Sequence, residues 1–137
     1  MNKVRWGLHS TANINRRLIP ALRASQRGEL VAVASRSQAA AEAYAAQWEI
    51  PRAFGSYEAM LESGQVDAVY ISLPNHLHAE WTIRALHSGV HVLCEKPFAL
   101  SLAEVDAMIA AAQATGRTLA EAFMYRHPLQ TLKVKEM

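Results

Sequence analysis

The chain has 137 residues, of which 51% are hydrophobic and 19% are charged, and its formal net charge is +2. This composition excludes a disordered chain, and the length suits one compact domain better than two full domains. The basic residues are scattered and no apolar run is long enough to cross a bilayer, which argues against nucleic-acid and membrane partners.

Strand and helix patterns alternate along the chain. Apolar runs predict strands at 4–8, 30–34, 51–54, 68–71, 90–94 and 118–120. Helical periodicity predicts helices at 14–25 and 76–87 and a last helix from Pro128. Three more helices are predicted after serine caps: from Ser37 to residue 48, from Ser56 to residue 62, and from Ser101 to residue 115. Pro20 predicts irregular first turns in the first helix. Gly28 is expected to end that helix, and Gly116 is expected to end the helix that follows Ser101.

Such alternation with short turns predicts an α/β fold, a single domain with a doubly wound, mostly parallel (Rossmann) sheet. Right-handed crossovers then place the turn after each strand at one edge of the sheet, where sheets of this kind bind ligands.

Cys94 is the only cysteine, which excludes an internal disulfide and favours a reducing, cytoplasmic location. It lies in a predicted buried strand, where we expect an inert thiol. Polar residues at 13–17 interrupt the first apolar stretch, so we expect no signal peptide.

The turn after the first strand is where a dinucleotide-binding sheet carries the pattern G-x-G-x-x-G. Ser10, Ala12 and Asn15 occupy the three glycine positions here. Small residues still let a pyrophosphate approach the backbone amides and the positive end of the helix. Asn15 fits least well, because the third position packs the helix against the strand. The turn by itself fits an ordinary helix cap equally well.

The turn after the second strand carries Ser35 and Arg36, where an NAD site usually has an acidic residue. Ser35 can donate to phosphate oxygens, and Arg36 can stack on adenine and offer charged donors to a 2′-phosphate. This turn favours NADP, with NAD as the alternative cofactor and a plain surface arginine as the alternative without a ligand.

Two further turns carry more specific patterns. The fourth strand ends in Leu73-Pro74-Asn75-His76-Leu77-His78, and the fifth ends in Cys94-Glu95-Lys96-Pro97-Phe98. A charged Glu-Lys pair between a buried strand and a proline is not needed for folding. With Trp6-Gly7, Ala34-Ser35-Arg36 and the run from Glu121 to Arg126, these motifs make the chain resemble a known family. It is similar to the N-terminal domain of the glucose-fructose oxidoreductase / inositol dehydrogenase (Gfo/Idh/MocA) family, and most similar to its sugar or dihydrodiol dehydrogenases.

The resemblance covers essentially the whole chain. It implies that residues 1–122 form the dinucleotide-binding domain, and that residues 123–137 begin a crossover helix to a substrate domain absent from this chain. It also implies a cofactor site made of Ser10, Thr11, Ala12, Asn13 and Ile14 around the pyrophosphate, Ser35 and Arg36 at the adenosine ribose, Leu73, Pro74, Asn75 and His78 along the adenine and nicotinamide-ribose side, Glu95 and Lys96 at the nicotinamide, and Arg126 near the crossover.

Lys96 corresponds to the family's catalytic lysine. A cation beside the reacting oxygen stabilises the negative charge that develops during hydride transfer, and a lysine can also relay the proton. The alternative is a surface lysine paired with Glu95. His9 departs from the family, which usually has an aliphatic residue there. We expect it to hydrogen-bond in the core, and the alternative is that it narrows the floor of the pocket. His76 and His78 lack the spacing of a helical metal site and no acid converges on them, so we expect no metal.

The implied function is hydride transfer between a nicotinamide cofactor and a sugar- or polyol-like alcohol or carbonyl, with the isolated chain inactive. The alternative is a non-catalytic dinucleotide-binding or interaction module, which the changed glycine pattern favours. In either case the surface that normally faces the substrate domain would be bare, and a homo-oligomer could cover it.

Overall fold

The computed structural model describes residues 2–122 and 133–134. Within these residues the chain forms β1 (Val4–His9), α1 (Asn15–Ala24), β2 (Gly28–Ala34), α2 (Gln38–Trp48), β3 (Arg52–Phe54), α3 (Tyr57–Glu62), β4 (Ala68–Ile71), α4 (His78–His87), β5 (His91–Glu95), α5 (Leu102–Thr115) and β6 (Leu119–Ala122), with a 3-10 turn at Asn75–Leu77 before α4. Of the predicted helix from Pro128, only residues 133–134 are described, and they are helical; the predicted site residue Arg126 falls outside the described residues.

The six strands form one sheet in the order β3-β2-β1-β4-β5-β6, and every neighbouring pair is parallel. The predicted doubly wound α/β fold is confirmed. The chain order reverses between β1 and β4, which is the switch point where open sheets of this kind bind ligands. Among the described residues, no helix is long and apolar enough to cross a membrane.

Helices cover both faces of the sheet. One core joins α1 and α2 to the sheet through Leu8, Ile19, Val33, Ala45 and Tyr70. The other joins α3, α4 and α5 to it, and includes Met60, Val69, Trp81, Leu86 and Met108. Burying a large apolar side chain stabilises a fold by about 1.5–3 kcal/mol, so these two layers provide most of the driving force for folding.

Glycine at position 7 lets α3 approach the sheet closely. A Cβ atom added to Gly7 would lie 2.8 Å from the sulfur of Met60 and 3.0 Å from Val66. Gly7 is buried in the middle of β1, where a larger residue would have to displace the side chains of Met60 and Val66.

Three serines cap helices as their positions predict. The hydroxyl oxygens of Ser37, Ser56 and Ser101 accept hydrogen bonds from backbone amides three residues later, at 3.1–3.2 Å. Gly116 follows α5 in the left-handed conformation at φ 67°, which glycine adopts without steric cost. The predicted ends of these helices are therefore confirmed.

The prediction that Gly28 ends α1 is wrong. The helix ends at Ala24, and Gly28 is the first residue of β2. The Ser25 hydroxyl oxygen accepts from the amides of Arg27 and Gly28 and turns the chain there. A Cβ atom on Gly28 would lie 3.1 Å from the Trp6 indole nitrogen, so this glycine makes room for Trp6.

Pro20 lies inside α1 without ending it. The first turn is tight, because the amides of Asn15, Arg16 and Arg17 bond carbonyls three residues earlier. These bonds lie before Pro20 and do not involve it, so the irregularity expected from the proline stays a prediction.

Candidate cofactor site at the carboxyl edge of the sheet

Strand register brings four polar residues to one level at the carboxyl edge. His9 lies opposite Ala34 of β2 and Ile71 of β4, and Ile71 lies opposite Cys94 of β5. The residues that follow are therefore aligned across the four strands: Ser35, Ser10, Ser72 and Glu95. Because neighbouring strands lie about 4.8 Å apart, this line spans about 14 Å.

A closed polar network holds the first turn. The Asn15 amide nitrogen donates to the Ser10 carbonyl at 2.9 Å, and the Ser72 hydroxyl donates to the Asn15 amide oxygen at 2.7 Å. The Ser10 and Ser72 hydroxyls lie 2.7 Å apart. All three side chains are buried. Asn15 was predicted to be the poorest fit to the glycine pattern, but it makes the hydrogen bonds that tie the turn to β4.

Ser10 adopts the conformation that explains why glycine is common at this position. Its φ is 130°, in the region that favours glycine. Its hydroxyl oxygen also accepts a hydrogen bond from the amide of Ala12 at 3.2 Å. The network with Asn15 and Ser72 holds a serine in a backbone conformation that costs about 1–3 kcal/mol.

The turn after Ser10 offers donors to an anion. Among the described residues, no hydrogen-bond acceptor contacts the amides of Thr11, Asn13 or Ile14. The first turn of α1 contains no acidic residue, and it carries Arg16 and Arg17, both exposed. Cations at the positive end of a helix lower the stability of the helix, but they strengthen the attraction of that end for a phosphate.

The second turn places Ser35 and Arg36 beside this loop. Ser35 is buried, and its amide donates to the Phe54 carbonyl at 3.0 Å, whereas Arg36 is exposed. Burial raises the pKa of Tyr57, and the nearby charge of Arg36 opposes that rise. The Arg36 guanidinium is thus near the end of β2 and accessible to a ligand.

The third turn contains both exposed and buried members of the predicted site. Pro74 and Asn75 are exposed, whereas Leu73 is buried. His78, the first residue of α4, is only 1% exposed. Its ring lies 2.7 Å from the Pro97 carbonyl oxygen and 2.8 Å from that of Leu73. His78 therefore lies behind the accessible edge, between the third and fourth turns.

In the fourth turn, Glu95 and Lys96 have different surroundings. The buried hydroxyl of Tyr70 donates to the Glu95 carboxylate. Burial, with the hydrogen bond and charge of Glu95, raises the pKa of Tyr70, so the hydroxyl stays protonated as a donor. Lys96 is exposed, and within residues 2–122 it forms no ion pair with Glu95. The described part of the chain thus lacks the surface pairing that was the alternative for Lys96.

Cys94, directly before this turn, is fully buried. Burial raises the pKa of its thiol to about 12, which fits the expected inert thiol. No group of three metal-capable side chains occurs in the described ranges.

The expectation that His9 hydrogen-bonds in the core is wrong. His9 is fully buried, and neither ring nitrogen has a partner among the described residues. Its ring packs against Tyr57 and Trp81, with centroids 4.7 and 5.2 Å away. Burial, with the charge of Arg84, lowers the pKa of His9 to about 3, so the ring is neutral. His9 is therefore held in the core by packing against aromatic rings and not by hydrogen bonds to the described residues.

Three supporting residues were not predicted from the sequence. They are Ser72, Tyr70 and Glu121, whose carboxylate accepts from the Phe98 amide at 3.0 Å just after the fourth turn. Ser72 could have been found, because it follows β4 as Ser10 follows β1. Tyr70 lies in a predicted strand and Glu121 follows one directly, and their partners lie 25 and 23 residues away in sequence.

Comparison with known proteins agrees with this geometry. The profile of the family described as "Oxidoreductase family, NAD-binding Rossmann fold" (GFO_IDH_MocA) matches residues 4–123. A D-xylose 1-dehydrogenase (NADP(+)) of Haloferax volcanii is 50% identical over 126 residues, which are 90% of this chain and 38% of that protein.

Solved structures show the same fold. A 3-ketoreductase from Actinomadura kijaniata, in complex with NADP and TDP-benzene, superposes with a TM-score of 0.92 at 39% identity, over 99% of this chain and 43% of that one. A myo-inositol 2-dehydrogenase from Lactobacillus plantarum superposes with a TM-score of 0.86 at 25% identity, over 98% of this chain and 40% of that one. This chain thus spans about two fifths of the length of these relatives. From the fold, the aligned turns and the family match, we conclude that the chain belongs to the Gfo/Idh/MocA family of oxidoreductases and carries its nucleotide-binding Rossmann fold.

Proposed function

We propose that this chain binds NADP(H) along the carboxyl edge of its sheet, as the cofactor-binding part of an oxidoreductase. The observation that carries the proposal is the alignment of four turns across β2, β1, β4 and β5 at the switch point of the sheet. A line of about 14 Å, with a phosphate-compatible turn near its middle, suits an extended dinucleotide.

The residues present suit such a cofactor. The amides of Thr11, Asn13 and Ile14 and the positive end of α1 would hold the pyrophosphate. Ser35 and Arg36 would hold the 2′-phosphate, for which a planar, permanently charged guanidinium is well suited. The turns containing Pro74, Asn75 and Glu95 would flank the nicotinamide half.

Lys96 is the proposed catalytic residue. The bound nicotinamide supplies or accepts the hydride. The exposed Lys96 would lie beside the substrate oxygen, stabilise its negative charge and exchange its proton with it. Tyr70 donates its hydroxyl hydrogen to the Glu95 carboxylate and holds it, and within residues 2–122 Lys96 forms no ion pair with that carboxylate.

The proposed substrate is a sugar- or polyol-like alcohol or carbonyl. Support comes from the relatives, among them a D-xylose 1-dehydrogenase and a 3-ketoreductase. Arg126, the division at residues 122 and 123, and a homo-oligomer remain predictions. The inert Cys94 suits the reducing cytoplasm that we also propose.

The proposal is tested by calorimetric titration of the chain with NADPH and NADH. We expect micromolar binding of NADPH and binding of NADH that is about tenfold weaker, because one charge-assisted contact is lost. Arg36→Ala should remove this difference by weakening NADPH alone. Arg23→Ala, an exposed arginine at the far end of α1, is the matched control. Equal affinities for the two cofactors, unaffected by Arg36→Ala, would disprove the NADP preference.

A further inference from the structure

His78 connects the two turns that flank the proposed nicotinamide position. Its Nδ1 lies 2.7 Å from the carbonyl oxygen of Pro97, in the turn that carries Lys96. Its Nε2 lies 2.8 Å from the carbonyl oxygen of Leu73, at the end of the neighbouring turn. The ring is 1% exposed and its contact with Leu73 is buried, whereas its contact with the exposed Pro97 is partly buried.

The imidazole ring of His78 can hydrogen-bond to these carbonyls, which an apolar side chain packed in the same place cannot do. A neutral imidazole carries one N–H and donates to one carbonyl, whereas a protonated ring donates to both. An apolar side chain of similar size would fill the space but would hold neither carbonyl. A buried carbonyl that loses its donor is destabilised by the full cost of its desolvation.

Among the described residues, hydrogen bonds hold the Lys96 turn on both sides, and on its amino side the Tyr70 hydroxyl donates to Glu95. On its carboxyl side the Pro97 carbonyl contacts His78, and the next amide, that of Phe98, donates to the Glu121 carboxylate at 3.0 Å. Lys96 itself is exposed. The position of its backbone therefore depends on the residues around it, and His78 relates that position to the turn at Leu73.

We infer that His78 is a positioning residue: it fixes the Glu95-Lys96-Pro97 turn against the Leu73-Pro74-Asn75 turn, and so sets the place of Lys96 relative to the nicotinamide end of the cofactor. The inference rests on the proposed function for its consequence, but the contact itself can be tested without any cofactor.

Hydrogen exchange of single amides, followed by NMR, tests the contact. His78→Phe should speed exchange of the Phe98 amide about tenfold or more, because the turn is released. The Val92 amide, which donates to the Thr118 carbonyl at 2.9 Å, should keep its protection. His87→Phe, at the exposed far end of α4, is the control. Unchanged exchange at Phe98, or equal losses at Phe98 and Val92, would overturn the inference.

Two conservative variants sharpen the test. The amide nitrogen of asparagine lies close to the place of Nδ1, and that of glutamine lies close to the place of Nε2. His78→Asn should therefore restore protection of the Phe98 amide, because it can still donate to Pro97. His78→Gln should not restore it. The reverse ranking would show that the Pro97 contact does not hold the turn.

Ligand binding tests the consequence. Adenosine 2′,5′-bisphosphate carries the 2′-phosphate half of the cofactor but no nicotinamide. His78→Phe should weaken NADPH binding about tenfold and leave binding of the bisphosphate within about twofold. Equal weakening of both ligands would overturn the positioning role. If the unsubstituted chain bound neither ligand, the proposed function would fail, and amide exchange would still decide the contact.

Discussion

His9 is buried among aromatic rings in a place where a charged imidazole is unstable. Tyr57 and Trp81 lie on its ring, and both of its nitrogens lack partners among the described residues. The charge of Arg84, whose guanidinium lies 4.3 Å from the centre of the Trp81 ring, adds to the cost of protonation. The side chain is therefore tolerated only in its neutral form.

This predicts a loss of stability in mild acid. The pKa of His9 is about 3 in the folded chain and 6.5 in an unfolded one, so the unfolded state binds more protons between these values. The stability of the folded chain is therefore unaffected by His9 above about pH 6.5, and it falls as the pH drops from 6.5 towards 3. We expect a loss of about 2 kcal/mol at pH 5 relative to pH 7, measured by urea unfolding. His9→Leu should flatten this dependence; an identical slope in that variant would exclude His9 as its source.

The hydrogen-bond network of Ser10, Ser72 and Asn15 predicts that replacing Asn15 alone lowers both stability and NADPH binding. Asn15→Ala would leave the Ser10 carbonyl without its donor and the Ser72 hydroxyl without its acceptor. We expect the free energy of unfolding to fall by about 2–3 kcal/mol, because buried polar groups lose their partners. NADPH binding should weaken as well, because the pyrophosphate turn is no longer held. Gln113→Ala, on the exposed side of α5, is the control. Unchanged stability and binding in Asn15→Ala would show that the network does not hold the turn.

Elements were predicted well where their determinants are local. The caps Ser37, Ser56 and Ser101 act within three residues, and apolar runs such as 68–71 match the structure. Gly28 was misassigned because its role depends on Trp6, which lies on the neighbouring strand. Local patterns could not reveal that packing.

The cap of α5 makes a prediction at this scale. Ser101→Ala removes the acceptor of the Glu104 amide, and should lower the free energy of unfolding by about 1 kcal/mol. Ser101→Asp keeps an acceptor and should restore the stability. Urea unfolding of the three proteins checks the ranking. Since Ser101 is exposed and its hydroxyl caps its own helix, NADPH binding should not change. An Asp variant no more stable than the Ala variant would refute the capping role.

For the whole molecule, the position of the site follows from topology. Parallel strands with right-handed crossovers put the turns after β1, β2, β4 and β5 at one edge, so Ser10, Ser35 and Glu95 could be placed together from the sequence. Their supporting partners could not. The bonds from Ser10 and Asn15 to Ser72 join residues 57–62 positions apart, and only the strand register decides which side chains meet.

The central claim is that a dinucleotide lies along the carboxyl edge of the sheet. Titration of the isotopically labelled chain with NADPH, followed by the backbone amide signals in NMR spectra, tests it most directly. We expect the largest shifts at residues 10–14, 35–36, 73, 75 and 95–96, and almost none at Arg5, Asp67 and His91 on the opposite edge. Shifts centred on the opposite edge, or no shifts at millimolar NADPH, would contradict the proposed cofactor site.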